Sequence, residues 1–200
     1  MTISKQISFF AFAVLAFSSL LPGTASAQAW AYYMNPEHQF SALFPGEPQE
    51  REITYETANG FMVPAHVFDA QRRDSHYSIT VVDFSSQPGE MEGAVAHQAA
   101  MVRERGTPGY DEFAQLNGIP GHAISVVAPD GRQILSQMYL YETRLYIAEG
   151  NEPPNSPPAA HFTQSIDIHH PDGTSVNLNP RGETTRAEIL QNRAREAEGQ

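Results

Sequence analysis

"EREITYETANGFMVPAHVF", Glu50 to Phe68, is the stretch whose reading decides the fold. On either side of Asn59-Gly60, apolar and polar residues alternate with period two, the mark of a strand with one buried face. Asn-Gly readily adopts the positive φ of a tight turn, so the stretch reads as a β-hairpin. Pro64 lacks a backbone donor, which predicts an edge position for the second strand.

The same alternation extends outward. Upstream, "HQFSALFPGEP" (38–48) puts Phe40, Ala42 and Phe44 on one face before Pro45-Gly46 ends the strand. Downstream, "HYSITVVDF" (76–84) points Tyr77, Ile79 and Val81 inward and His76, Ser78 and Thr80 outward. The period then changes. In "PGEMEGAVAHQAAMVRERG" (88–106), Met91, Val95, Ala99 and Val102 recur at helical spacing. Glu90 and Glu92 fall in the expected first turn and Arg103 and Arg105 in the last, which suits the helix dipole, and Gly106 reads as the stop.

Strand signals resume with "YDEFAQL", "HAISVVA" and "RQILSQMYLYETRLYIAEG" (132–150). Asn117-Gly118, Asp130-Gly131 and Glu142-Thr143 mark the turns between them. Ser156-Pro157 reads as an N-cap followed by proline, opening a short helix through Phe162, and "SIDIH" (165–169) is the last strand. Helices do not alternate with strands. The expected class is therefore α+β: a central, mainly antiparallel sheet with one long and one short helix packed on its faces.

Residues 1–27 carry Lys5, an apolar run from Ile7 to Leu21, and Ala25-Ser26-Ala27. This is the pattern of a cleavable signal peptide, with the mature chain starting at Gln28 and no stable membrane span after cleavage. Residues 28–172 read as a single domain. Residues 173–200 are polar, with Ile189 and Leu190 their only substantial apolar pair, and read as a disordered tail in which Thr185 and Glu188 have capping-box spacing.

Composition removes several chemistries. The chain has no cysteine, hence no disulfide, thiolate nucleophile or acylated lipoprotein anchor. Lys5 is its only lysine, so the mature chain has none for a Schiff base or a phosphate loop. The formal charge is −11, one unit more negative without Lys5, which argues against nucleic acid and against a polybasic grip on anionic lipid. No HExxH, Gly-x-Ser-x-Gly or Gly-x-Gly-x-x-Gly pattern occurs, and "NGIPG" (117–121) reads as a turn between strands. The Arg72-Arg73 pair reads as a solvated loop. No catalytic residue and no cofactor is expected.

Two groups of residues are site candidates. Asp167 and His169, in "HFTQSIDIHHPDG" (161–173), stand at i and i+2 on one strand face and could both ligate a metal. Two ligands are too few for a zinc site, so the favoured reading puts Ile166 and Ile168 in the core and Asp167 and His169 on the solvated face. Tyr139, Tyr141 and Tyr146 crowd the final hairpin, and core packing beneath the helix is favoured over an aromatic-walled ligand cleft.

"FSALFPGEP", "GIPGHAI", "RLYIAEG" and "AAHFTQSIDI", in this order, resemble motifs of small secreted bacterial proteins of unknown function. These in turn are similar to the fold of the PsbP extrinsic photosystem proteins and the Mog-type Ran-binding proteins. The resemblance covers 28–172 and implies an antiparallel sheet with helices on its faces, with no catalytic residue to carry over. It points to an exported, non-enzymatic binding or assembly module, periplasmic or secreted, whose partner is a protein or a small ligand. The alternative is a small-ligand or metal-binding protein, or a hydrolase, using the tyrosine face or the Asp167/His169 pair.

Overall fold

The computed structural model describes residues 30–179. The chain opens with a short hairpin, β1 (Ala31–Asn35) and β2 (Phe40–Phe44), and the Glu50–Phe68 stretch then forms the hairpin its alternation predicts. β3 (Gln49–Glu56) pairs antiparallel with β4 (Met62–Arg72), Tyr55 opposite Val63 and Glu50 opposite Phe68. Gly60 takes φ +81° in the turn, and its N–H donates to the Thr57 carbonyl at 3.0 Å. β5 (Ser75–Asp83) pairs with β4 from Ala65 onward. Strand β4 is thus an interior strand rather than the expected edge. The proline is accommodated because Pro64 lies one position beyond the β4–β5 ladder, where only β3 is alongside.

A helix, α1 (Ala94–Arg103), leads into a second meander: β6 (Thr107–Leu116), β7 (Ile119–Val127), β8 (Gln133–Tyr141) and β9 (Arg144–Glu152). A one-turn helix, α2 (Ala160–Thr163), and a two-residue strand, β10 (Asp167–Ile168), follow. β9 pairs with β5, so the two meanders join at their last strands into a seven-stranded antiparallel sheet ordered β3-β4-β5-β9-β8-β7-β6. β1, β2 and β10 form a separate three-stranded sheet. The fold is α+β and mostly antiparallel. In place of one central sheet there are two, because Pro45-Gly46 interrupts the chain between β2 and β3 and lets the first hairpin form its own layer.

The large sheet is covered on both faces. Small sheet and α2 bury Phe40, Phe44, Phe68, Ile79, Tyr146 and Phe162 on one side. On the other side α1 buries Val82, Phe84, Ala99, Val102, Ile124 and Leu145. Double coverage explains the unbroken apolar runs Val81-Val82 and Leu145-Tyr146-Ile147-Ala148, whose successive side chains alternate between two dry layers. Burying residues of this size stabilises by about 1.5–3 kcal/mol each.

The helix starts later than periodicity predicts. Pro88–Met91 forms a single 3-10 turn, Glu92 is extended, and Gly93 at φ +77° resets the direction before Ala94. Glu90 therefore lies outside α1; its carboxylate accepts from Thr57 Oγ1 at 2.6 Å and Asn59 Nδ2 at 3.1 Å, tying this turn to the β3–β4 hairpin. The helix ends at Arg103 with Glu104 as its cap, and Gly106, beyond it, is required by close approach to β7: a Cβ there would lie 2.2 Å from the Val127 carbonyl oxygen. The second helix is likewise shorter than expected, and Ser156 does not cap it. Pro158 disfavours helical geometry at Pro157, so the helix opens only at Ala160.

The expected solvated face of the last strand is the clearest reversal. Asp167 and His169 are each only 2% exposed. After Gly173 the chain turns back along β10: Val176 N–H donates to the Ile168 carbonyl at 2.8 Å, His169 bridges Ser175, and the Val176 side chain is fully buried. Leu178 N–H also donates to the Asn117 carbonyl. The segment expected to begin a free tail at 173 thus covers Asp167 and His169 through to Asn179. The signal reading of 1–27 and the tail reading of 180–200, including Thr185, Glu188, Ile189 and Leu190, lie outside the described residues.

Candidate functional site

Folding places Asp167 and His169 in a buried polar network. Asp167 pairs in register with Ser41 of β2. Its Oδ1 accepts from Asn117 Nδ2 at 2.9 Å and from Ser175 Oγ at 3.1 Å. His169 Nε2 and Ser41 Oγ share a hydrogen bond of 2.8 Å, and Asp167 Oδ2 lies 3.7 Å from the same nitrogen. Burial pushes the Asp167 carboxyl up to about 6, against the opposing hydrogen bonds from Ser175, Ile168 and Asn117. Burial also lowers the His169 pKa.

Serine, histidine and aspartate are together here, but the order is wrong for a nucleophilic relay. Such a relay has serine on one ring nitrogen and the carboxylate on the other; here both face Nε2. All three residues are also sealed from solvent. The network joins β2, β10, the β6–β7 turn and the returning C-terminal segment, which is a structural role. Among the described residues, no third histidine or carboxylate converges on Asp167 and His169 as a metal ligand.

The tyrosines separate. Tyr139 and Tyr146 are opposite one another in the β8–β9 ladder and buried under the small sheet, on the face away from α1. Burial raises the Tyr146 phenol to about 12. Tyr139 OH donates to Gln137 Oε1 at 3.1 Å. Tyr141 is half-exposed, with its ring 6.2 Å from that of His170. They pack the core rather than wall a cleft.

A cleft does exist, on the other face. Between α1 and the sheet lies a space of about 550 Å³. Met91, Val95 and Ala99 line it from the helix side, and Phe113 and Leu140 from the sheet. Phe113 is 67% exposed, an unusual position for phenylalanine on a strand facing a helix. At the rim stand Arg103 and His122, both held by Asp111. Arg103 Nε donates to Asp111 Oδ2 at 2.7 Å, and His122 Nε2 pairs with the other carboxylate oxygen. These two partners hold the Asp111 carboxyl below its ordinary value, with His122 the larger influence.

A third grouping brings together His38, in the β1–β2 turn, Glu50 of β3 and His66 of β4. Glu50 and His66 are diagonal cross-strand neighbours, since Glu50 stands opposite Phe68. His66 Nδ1 and Glu50 Oε1 are 3.0 Å apart, and His38 Nε2 lies 3.5 Å from the same oxygen. Neither the cleft nor this grouping is read from the sequence. Glu50 and His66 could have been, from the hairpin register about Asn59-Gly60; His38 carries no such local signal.

No family model matches the chain, and no curated protein matches it. Among solved structures it is similar to the solution structure of cyanobacterial PsbP (CyanoP) from Synechocystis sp. PCC 6803. The identity is 13%, over 74% of this chain and 96% of that one, with a TM-score of 0.47. That protein bears the name of the fold which the short sequence motifs resemble. The likeness brings no residue role with it.

Proposed function

We propose that this protein is an exported, non-enzymatic binding module that holds a small, largely apolar molecule in the cleft beneath α1. The observation that carries this reading is the cleft itself: its volume of about 550 Å³ falls within the range of small-molecule sites, and its walls are mainly apolar with a few polar groups at one end. Arg103 offers a polar anchor. Asp111 takes donors from its Nε and Nη2, and the Nη1 donors are left to meet an acceptor on the ligand. The cleft walls offer no hydroxyl or thiol beside His122, which favours binding over turnover. Among the described residues no helix is long and apolar enough to cross a membrane.

The test is titration with anilinonaphthalene sulfonate, an apolar fluorophore bearing one anionic group. One saturable equivalent is expected. Phe113→Ala removes an exposed apolar wall and should weaken binding about tenfold or more, the equivalent of roughly 1.5 kcal/mol of lost apolar burial. Val95→Trp fills the space and should abolish binding while the melting temperature holds. Undiminished probe binding in both variants would overturn the proposal.

A further inference from the structure

We infer that His38, Glu50 and His66 form a binding site for a divalent first-row transition-metal ion of the zinc class. This site is independent of the cleft. Two imidazoles and a carboxylate are the donor set that zinc takes when the protein supplies three ligands and water the fourth. Calcium and magnesium, which take oxygen ligands, fit it poorly.

The spacing supports the assignment. Tetrahedral ligands about 2.0–2.1 Å from zinc stand roughly 3.3 Å from one another. The separations are 3.0 Å between Glu50 Oε1 and His66 Nδ1, and 3.5 Å between Glu50 Oε1 and His38 Nε2. All three ligand atoms lie within 4.8 Å of each other. The Glu50 side chain is 46% exposed, which leaves it room to rotate toward an ion.

A second, independent observation points to an occupant. His38 is 8% exposed, and its Nε2 is buried with no hydrogen-bond partner, although it faces Glu50 and His66. Buried polar atoms ordinarily find partners, and a nitrogen without one is explained by an ion placed among these groups. The position of His38 is itself constrained. Its backbone N–H donates to Asn35 Oδ1 at 2.9 Å, and its ring packs at a tilt against those of His66, 4.2 Å away, and Phe68, 5.2 Å away.

The surrounding charges permit a cation. Glu50 and Glu37 face His38 from β3 and from its own turn, and Arg144 opposes them. The Arg144 guanidinium is directed to the Glu37 carbonyl and Gln39 Oε1, which leaves the metal face to Glu50. Because His38 belongs to the hairpin of the small sheet and the other two to the large one, a bound ion joins the two layers. In a chain without cysteine, no disulfide can do this.

The experiment uses chain purified without a polyhistidine tag and stripped of metal by chelation. Zinc is titrated calorimetrically, and cobalt by visible absorption, which reports low coordination number. One equivalent of either metal is expected. His66→Ala and Glu50→Gln should each lower affinity about a hundredfold or more, since even lost outer-shell partners cost about 10–100-fold. His122→Ala, remote from the cluster, should bind as wild type. Both test positions are solvent-accessible, so circular dichroism and melting should show a retained fold. Absence of zinc binding at millimolar metal, or undiminished binding in both His66→Ala and Glu50→Gln, overturns the inference.

Discussion

Replacing Asp167 by asparagine should stabilise the protein at neutral pH, because the native carboxylate is ionised where water cannot reach it. Asp167 is 2% exposed, and its Oδ1 accepts from Asn117 and Ser175. Oδ2 is buried without a partner. The folded pKa of about 6 stands above the ordinary 3.8, so the folded chain keeps a proton that the unfolded chain has released between those values. Stability from this group is complete below about pH 4 and is lost as pH rises through about 6. The full difference corresponds to about 3 kcal/mol at 1.36 kcal/mol per pH unit. Asparagine retains an oxygen for Asn117 and Ser175 and never ionises. Asp167→Asn should therefore exceed wild type by up to about 3 kcal/mol at pH 7.5. A domain of this size melts roughly 2–4 °C higher per kcal/mol, so the rise is about 6–12 °C. By pH 4 the difference should vanish. His169, 3.7 Å away, has a pKa lowered by burial, so its own contribution falls in the opposite direction, as pH drops below its unfolded value. Urea unfolding from pH 4 to 8 can be followed by the emission of Trp30, the single tryptophan, which packs on Tyr77 and Phe162. A difference that does not change with pH, or a variant weaker than wild type at pH 7.5, refutes the reasoning.

Two further substitutions probe the packing between layers. Gly150→Ala places a Cβ 2.1 Å from that of Ala159 and should cost about 1–3 kcal/mol, read as a lower urea midpoint; no change would mean that α2 is free to shift. Phe162→Ala empties a fully buried site ringed by Trp30, Phe44 and Tyr77. It should cost about 3–5 kcal/mol, and the Trp30 emission should shift red in the native baseline.

The hairpins were legible because their information is local. Gly60, Asn117 and Gly118 adopt the positive φ that glycine and asparagine tolerate, and the alternation around them predicts which residues are buried. Pro64 misled because its cost depends on whether a neighbour is present at that one row. Asp167 and His169 misled for a related reason. Periodicity assigns them to the face opposite Ile166 and Ile168, but whether that face meets solvent depends on a segment that returns from Val176. Likewise, the acidic Glu90 reads as a helix-dipole partner until Gly93 detaches its turn from α1.

From the sequence alone followed the class of the fold, most of the strands from β2 onward with their turns, the inward faces of β2 and β5, and the exclusion of thiol chemistry. Each depends on residues a few positions apart, or on composition, which folding does not alter. Only the tertiary structure decided that there are two sheets rather than one, that α1 roofs an apolar cleft, and that His38 reaches Glu50 and His66. Those outcomes depend on which surfaces meet once the first hairpin folds across the large sheet. Periodicity records that a face must be covered; it does not name the segment that covers it.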